Sequence, residues 1–222
     1  MNSLVQFSNH RSDLMLQKPV DYITLQEFEA LKRACDIVFE RSKHTENDEW
    51  MRDRDKLLLS LMWSTGARIT DVLQMSSDLI DFKNRTIKFL VKKRKDRTRP
   101  DGQFWHTVTL DMETLTEVMD YIQTWSIKGV LFRSYRKVVK PLTRQAINDK
   151  MNVLCEAAGL RHLHPHMTRH GIAMHIQGQG APVELISYHL AHSGTAITLS
   201  TYARLDATQE RKMLESLGVR IR

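Results

Sequence analysis

The spacing of apolar residues is the feature that most limits how this chain of 222 residues can fold. In most segments they recur every three or four positions, as they do on the buried face of an α-helix. Only two short stretches, TIKFLV at 86–91 and WHTVTL at 105–110, have the composition of β-strands. The sequence therefore predicts an α+β fold that is mainly helical and has a small antiparallel sheet.

Residues that start and stop helices divide the helical part into segments. Thr24 and Glu27 have the spacing of a capping box, while Asp111 and Thr143 are placed to cap two further helices. Gly66 follows an apolar helical run and is a natural helix end. We predict a short third helix directly after it, over Ala67–Met75, and a last helix after residue 206.

Length and cysteine usage exclude several classes of protein. The chain is long enough to bury a core without disulfides, and no apolar run is long enough to span a membrane. The N-terminus lacks the apolar stretch of a secretion signal. Cys35 and Cys155 stand far apart and form neither a disulfide framework nor a metal-ligand pair. We therefore predict a cytoplasmic protein in a reducing compartment.

Positive charge is concentrated in two segments of the chain. The formal net charge is +7, and residues 83–99 hold nine Lys or Arg against one Asp. Residues 133–144 add five basic side chains and no acidic one. One such run is usually a solvated surface, but two in a compact domain favour a polyanion as the partner, most often nucleic acid.

Two segments are predicted to contact DNA. Thirteen residues separate the two strands, and long loops within compact domains are usually functional. Basic side chains there would follow the DNA backbone and set salt dependence rather than sequence preference. The residues in question are Lys93, Arg94, Lys95, Arg97 and Arg99. The helix after Thr143 is expected to expose its own groove-contacting set, Arg144, Gln145, Asn148 and Lys150.

A histidine-rich segment holds the best candidates for chemistry. His166 and Arg169 are three residues apart and share a face if the segment is helical. A guanidinium offers a planar fork of donors to a phosphate, and a neighbouring imidazole can exchange a proton with it. A metal site is the alternative, because His162, His164 and His170 lie close by in sequence. No Asp, Glu or Cys accompanies them, so phosphate is favoured over metal.

Further short motifs extend this one along the chain. TGAR ends at Arg68, VKKRK covers 91–95, HMTRH covers 166–170, and LAH ends at His192, ten positions before Tyr202. Each motif alone also fits an ordinary polar surface. In this order and spacing, over about 19–205, they resemble the tyrosine recombinases, the phage integrase family of DNA strand-exchange enzymes.

The resemblance implies a set of functional residues and a reaction. The catalytic residues would be Arg68, Lys92, His166, Arg169, His192 and the nucleophile Tyr202, with Asp71 and His170 in support. Lys93 and Lys95 remain alternatives to Lys92 as the lysine of the β-hairpin. The implied reaction passes through a 3′-phosphotyrosyl bond and needs no ATP, metal or other cofactor.

The resemblance also implies a domain organisation and partners. We expect a mobile leader over 1–18, a catalytic domain over 19–205, and a C-terminal helix and tail over 206–222. This last segment either packs on its own domain or docks on a neighbouring protomer, and the family favours the second arrangement. The implied partner is double-stranded DNA at specific sites. The protein would act as a homotetramer on paired sites and be a monomer or weak oligomer when free.

Three departures from the family pattern keep other functions open. Asp71 stands where Glu is more frequent, Ala191 where Gly is usual, and the interval from His192 to Tyr202 is one residue longer than is typical. The long interval supports an alternative, a DNA-binding accessory or regulatory protein with the same fold but little turnover. A metal-dependent nuclease built on the histidines is a second alternative. A type IB topoisomerase fits this short chain less well.

Overall fold

The computed structural model describes residues 21–134, 141–191 and 207–222. Within these ranges the chain forms helices, a small sheet and a single 3-10 turn at Ser77–Leu79. The elements are α1 (Leu25–Glu40), α2 (Glu46–Thr65), α3 (Ile69–Val72), β1 (Ile80–Asp81), β2 (Thr86–Lys95), β3 (Gln103–Thr109), α4 (Met112–Trp125), α5 (Arg144–Ala158), α6 (Pro165–Gly178), α7 (Val183–His189) and α8 (Ala207–Ser216). This architecture confirms the predicted α+β fold, mainly helical with a small antiparallel sheet.

The predicted helix caps form as their side chains require. The Thr24 hydroxyl accepts from the Glu27 amide at 3.2 Å, and the Glu27 carboxylate accepts from the Thr24 amide at 2.9 Å. Asp111 and Thr143 accept from the third amide after them and start α4 and α5. Because each cap satisfies an amide that has no partner inside its helix, these short motifs fix where the helices begin.

The sheet is larger than the sequence suggests, and the loop within it is shorter. The strands follow the order β1-β2-β3, all antiparallel, and β1 was not predicted. Strand β2 continues to Lys95, so the predicted long loop is wrong and only residues 96–102 connect β2 with β3. From Leu90 to Lys95 the strand advances five residues while its partner advances only from Trp105 to Gln103, which marks an irregular, bulged stretch.

Aromatic residues of α1 and α2 form the centre of the core. Trp63 is fully buried and stacks on Phe28 with ring centroids 4.7 Å apart. Helix α6 comes close to this pair at Gly171, where an added Cβ would lie 2.2 Å from the Ile23 carbonyl oxygen. Close packing of α6 against the core therefore holds the histidine-rich segment on a rigid base.

The third predicted helix is shorter than expected. It spans only Ile69–Val72, not Ala67–Met75. Apolar residues at helical spacing are not all buried: Met119 on α4 and Leu217, directly after α8, are 41% and 45% exposed, whereas Leu214 on α8 is 5% exposed.

The C-terminal segment packs on the same chain in this structure. Val219 and Ile221 are buried, and the Ile221 carbonyl accepts a hydrogen bond from the Trp63 indole at 2.9 Å. The Arg222 guanidinium lies within 3.2 Å of carboxylates of Glu29, Glu113 and Glu117. Exchange of this segment between protomers stays a prediction, since a single chain does not test it.

Among the described helices, none combines the length and apolar character needed to cross a bilayer.

Candidate active site

The end of α2 presents Arg68 at one side of the domain. Gly66 ends α2 in the left-handed region, with φ of 56°, and an added Cβ there would lie 2.3 Å from a Leu190 methyl group. The backbone then becomes extended at Arg68, the N-cap of α3, whose side chain is half-buried. A glycine is thus needed for two reasons, conformation and space, directly before this arginine.

Asp71 connects the Arg68 turn to the sheet. Its side chain is 1% exposed, and one carboxylate oxygen accepts from the Lys92 amide at 3.3 Å. Burial raises the pKa of Asp71, although the Lys92 amide and the Arg68 charge act in the opposite direction. The contact sets β2 beside α3 and brings the backbone of Lys92 close to the turn that carries Arg68.

Arg169 lies buried next to Arg68. It is 5% exposed, and its two terminal nitrogens donate to the carbonyls of Gly66 and Leu190, both at 2.6 Å. Burial, helped by the charge of Arg68, lowers the pKa of Arg169 to about 10. Each terminal nitrogen carries two N–H bonds, so one on each remains for a further acceptor such as a phosphate. The guanidinium therefore joins the ends of α2 and α7, close enough to Arg68 for its charge to act on the Arg169 pKa.

The two helix histidines lie at the surface beside the arginines. His166 and His170 are exposed on α6, with ring centroids 4.8 Å apart. Partial desolvation and the charges of His170 and Arg169 lower the pKa of His166. A lowered pKa keeps this imidazole neutral at neutral pH, in the form that accepts a proton. His166 is therefore suited to the role of a general base.

The hairpin lysines differ in how they are held. Lys92, Lys93 and Lys95 are all exposed on β2. Of these three, Lys92 is the one whose backbone bonds to Asp71 and so to the arginine turn. This contact favours Lys92, but it does not test the choice among the three, which stays a prediction.

Some basic residues of the hairpin contact another side chain, and others point into solvent. The Arg94 guanidinium lies 3.7 Å from the centroid of the Phe104 ring, and burial lowers its pKa. Arg99 forms an ion pair with Asp101 at 3.3 Å in the connecting turn. Arg97 is exposed, like Lys93 and Lys95. The hairpin thus carries a mainly solvent-facing positive surface, which suits contact with a polyanion.

Helix α5 presents fewer free basic groups than predicted. Arg144 is exposed, and the Gln145 amide donates to Asp149 at 2.8 Å. The prediction that Asn148 and Lys150 are exposed is wrong, since both are half-buried. Lys150 lies 3.2 Å from the buried carboxylate of Asp55 and offsets its charge within the domain.

Two predicted residues, His192 and Tyr202, lie outside the described residues, which stop at Ala191 on this side. Ala191 has a φ of 50°, in the left-handed region that a side chain disfavours. It follows Leu190, whose carbonyl is bonded to Arg169. The departure noted in the sequence, alanine where the family usually has glycine, is therefore a point of backbone strain beside the site.

Substituting Ala191 with glycine is expected to raise the free energy of unfolding by about 1 kcal/mol, because the strain exceeds the entropy that glycine loses. Urea unfolding measures the change. Ser126→Gly is the matched control, since Ser126 has a φ of 51° at the end of α4 and is exposed, far from this site in the chain. A gain in the control but none at Ala191 would mean that packing of the alanine methyl group outweighs the strain.

Sequence reasoning did not single out two buried residues that pair in the structure, His189 and Glu210. Both are buried, and they bond to each other across a chain separation of 21 residues. Neither belongs to a local motif, so no sequence signal identified them.

Among the described residues, no group of three His, Cys, Asp or Glu side chains is arranged to hold a metal ion.

Comparison with known proteins places these residues in a family context. Residues 23–209 match the model of the phage integrase family. The chain is 27% identical over 172 residues to tyrosine recombinase XerC of Staphylococcus epidermidis, covering 76% of this chain and 55% of the relative. It is 31% identical over 166 residues to tyrosine recombinase XerD of Staphylococcus haemolyticus, covering 72% and 53%. The chain thus spans about half the length of the curated relatives it matches.

Solved structures share the fold. The crystal structure of XerA recombinase superposes with a TM-score of 0.62 at 20% identity, over 89% of this chain and 65% of that one. XerH site-specific recombinase, solved in a pre-cleavage complex with its difH substrate, superposes with a TM-score of 0.57 at 21% identity, over 80% and 48%. At such identities the similarity concerns the fold alone.

Proposed function

This chain belongs to the phage integrase family, and on that basis we propose that it cleaves and rejoins DNA as a site-specific recombinase. The observation that supports the proposal is that Arg169, distant in sequence, bonds to the Gly66 carbonyl two residues before Arg68, at the junction of α2, α3 and α7, and that the Arg68 charge acts on it. His166 and Lys92 border the same junction. Together they form a positively charged site with one proton acceptor, which suits a phosphodiester.

The proposed reaction exchanges one phosphodiester for another. The Tyr202 oxygen attacks the phosphorus, forming a P–O bond to tyrosine at the 3′ side while the bond to the 5′ oxygen breaks. His166 takes the phenol proton, and Lys92 gives a proton to the departing 5′ oxygen. Attack by the 5′ hydroxyl of a second strand reverses the step. Because the covalent bond to tyrosine conserves the bond energy, the proposal needs neither ATP nor a cofactor.

Electrostatics explains why two arginines are needed. A tyrosine hydroxyl has a pKa near 10, and negative charge accumulates on the phosphoryl oxygens in the transition state. Arg68 and the two free N–H groups of Arg169 would donate to those oxygens, with His192 as a further donor. Donors of this kind contribute about 2.7–4 kcal/mol each when they are aimed at developing charge. Asp71 would orient the turn and His170 would support His166.

The partners follow from the same proposal. Basic residues of the hairpin would contact the phosphate backbone of double-stranded DNA in the cytoplasm: Lys93, Arg94, Lys95, Arg97 and Arg99. Arg144 and Gln145, the exposed members of the set predicted on α5, would contact a groove. We expect a homotetramer on paired sites and a monomer or weak oligomer in free solution. The integrase of the Tn1549 transposon, which shares the fold, was solved in complex with a circular intermediate DNA, which supports DNA as the partner.

The decisive experiment traps the covalent intermediate. The protein is incubated with a library of randomised duplexes that carry a nick, so that the cleaved strand diffuses away and the adduct accumulates. An SDS-resistant adduct is expected for the natural chain and none for Tyr202→Phe, and peptide mapping should find the DNA on Tyr202. Excess chelator should leave the yield unchanged. Binding without any adduct would support the accessory protein, and loss of activity in chelator would support the nuclease.

A further inference from the structure

A buried ion pair connects the two described ends of the chain segment that contains Tyr202. His189 is the last residue of α7 and Glu210 lies in the first turn of α8. The imidazole Nδ1 and a carboxylate oxygen are 2.5 Å apart, and the side chains are 1% and 0% exposed. All of residues 190–209, including His192 and Tyr202, lie between these two positions in the chain.

Each partner is also bonded to a different part of the active-site frame. The Nε2 atom of His189 donates to the Ser64 carbonyl at 2.9 Å, near the end of α2 and two residues before Gly66. The second oxygen of Glu210 accepts from the Thr109 amide of β3 at 2.9 Å. The Thr109 hydroxyl in turn donates to the Ala207 carbonyl at 2.9 Å. The pair thus joins α7 and α8 to both α2 and the sheet.

The hydrogen-bond partners of His189 and Glu210 determine which of their atoms donate and which accept. Both groups that face the imidazole, a carbonyl and a carboxylate, can accept hydrogen bonds. Nε2 must carry a proton for the Ser64 carbonyl, and a single proton then lies between Nδ1 and Glu210. Because the Thr109 amide donates to the other carboxylate oxygen, each polar atom of this buried pair has a partner. Loss of one side chain would leave the other buried without its partner, which costs far more than loss of an exposed pair.

We propose that His189 and Glu210 are positioning residues for the nucleophile. Their bond holds the end of α7 against the start of α8 and so fixes the two described points between which the chain carrying Tyr202 runs. One anchor lies at the end of α2, beside the Arg68 turn. Closing a segment at both ends raises the effective concentration of any side chain within it near that anchor. The inference rests on the proposed function, in which Tyr202 is the attacking group.

Four variants distinguish three possible contributions of the pair: the hydrogen bond between His189 and Glu210, the negative charge of Glu210, and the stability of the folded protein. Glu210→Gln keeps both contacts, since its amide oxygen accepts from Thr109 and its NH₂ donates to a neutral imidazole. His189→Leu and Glu210→Leu each leave one polar partner buried alone. The double variant with both leucines leaves no ionisable group buried alone and loses only the partners of the Ser64 carbonyl and the Thr109 amide, so it should be less destabilised than either single variant. Glu215→Gln is the matched control, since Glu215 pairs with Arg85 on the same helix but is 60% exposed.

Two quantities are measured for each variant on the duplex that the unsubstituted chain selects from the library. The first is the single-turnover rate of adduct formation, and the second is the affinity for that duplex. Glu210→Gln and Glu215→Gln should react within about threefold of the natural chain. The double leucine variant should react about tenfold more slowly at unchanged affinity, because misplacement of a reacting group costs rate rather than binding. A folded double variant with the natural rate overturns the inference.

A third measurement needs no DNA. Hydrogen exchange of the α8 amides should accelerate in the double leucine variant relative to Glu210→Gln, because α8 has lost its anchor to α7. Equal protection in the two variants would overturn the inference. If the natural chain forms no adduct with any duplex, the proposed function fails. Exchange then decides independently whether the pair anchors the segment.

Discussion

Replacing Arg68 with alanine is expected to slow adduct formation about 10²–10³-fold and to leave the urea unfolding midpoint nearly unchanged. The Arg68 side chain is half-buried, and its guanidinium makes no hydrogen bond to another described residue. Its role in the proposed reaction is to face the phosphoryl oxygens, where negative charge develops. Removal of the Arg68 guanidinium therefore reduces transition-state stabilisation but removes few contacts that hold the fold.

The measurement is the single-turnover rate of the SDS-resistant adduct at saturating protein. Arg68→Lys keeps the charge but loses the planar fork, so its rate should lie between those of the natural chain and the alanine variant. Arg97→Ala is the matched control. Arg97 is exposed in the hairpin turn, so its loss should weaken DNA affinity and lower the salt dependence by about one counterion, with no change in rate at saturation. A natural rate in Arg68→Ala would contradict the assignment.

Local rules predicted the parts of the fold that depend on neighbours in sequence. Thr24 and Glu27 form their capping box because both partners lie within one helical turn. Gly66 ends α2 because glycine adopts the left-handed conformation with little penalty. The motif around Arg68 was therefore positioned correctly relative to its helix by short-range signals alone.

The sheet shows where local rules failed. Residues 92–95 are all basic, so their composition indicated a loop rather than a strand. Strand β2 nevertheless continues through them, because Phe89 and Val91 are buried and hold its earlier part against the domain. Pairing of Lys95 with Gln103 closes the hairpin beyond the irregular stretch. Tertiary contact, which composition does not reveal, decided this element.

Contacts between distant residues account for the other differences. Lys150 was predicted to be exposed, but it pairs with Asp55, almost a hundred positions earlier in the chain. His189 and Glu210 similarly meet through folding rather than through a motif. Burial of Arg169 depends on the carbonyls of two other helix ends. The sequence motif identified this arginine as a phosphate ligand without revealing its second, structural contact.

That second contact makes Arg169 differ from Arg68 in a measurable way. Replacing Arg169 with alanine is expected to lower the free energy of unfolding by about 3 kcal/mol and to abolish the adduct as well. The side chain is 5% exposed and its charge is used in two hydrogen bonds to the carbonyls of Gly66 and Leu190. Alanine leaves both carbonyls without this partner and a cavity between α2 and α7.

Urea unfolding measures the stability, and the adduct is assayed at a temperature at which each variant is folded. Arg169→Lys should recover part of the stability but little of the rate, since one ammonium group does not reproduce a fork that spans two carbonyls. Arg161→Ala is the matched control. Arg161 pairs with Glu27 at 2.7 Å and donates to the Tyr22 carbonyl at 2.6 Å, but it is 30% exposed, so its loss should cost about 1 kcal/mol, less than the loss of Arg169, and leave the rate unchanged.

Comparing variants of Arg68 and Arg169 separates the contribution of Arg169 to catalysis from its contribution to folding stability. If Arg169 held only the phosphate, its alanine variant would unfold at the same urea concentration as Arg68→Ala, and the bonds to Gly66 and Leu190 would have no part in stability. If it held only the fold, a folded Arg169→Lys variant would react at the natural rate. We expect neither result, because the same guanidinium fixes the ends of α2 and α7 and keeps an N–H on each terminal nitrogen for the substrate. The phosphate site is then assembled by the bonds that hold these two helices together.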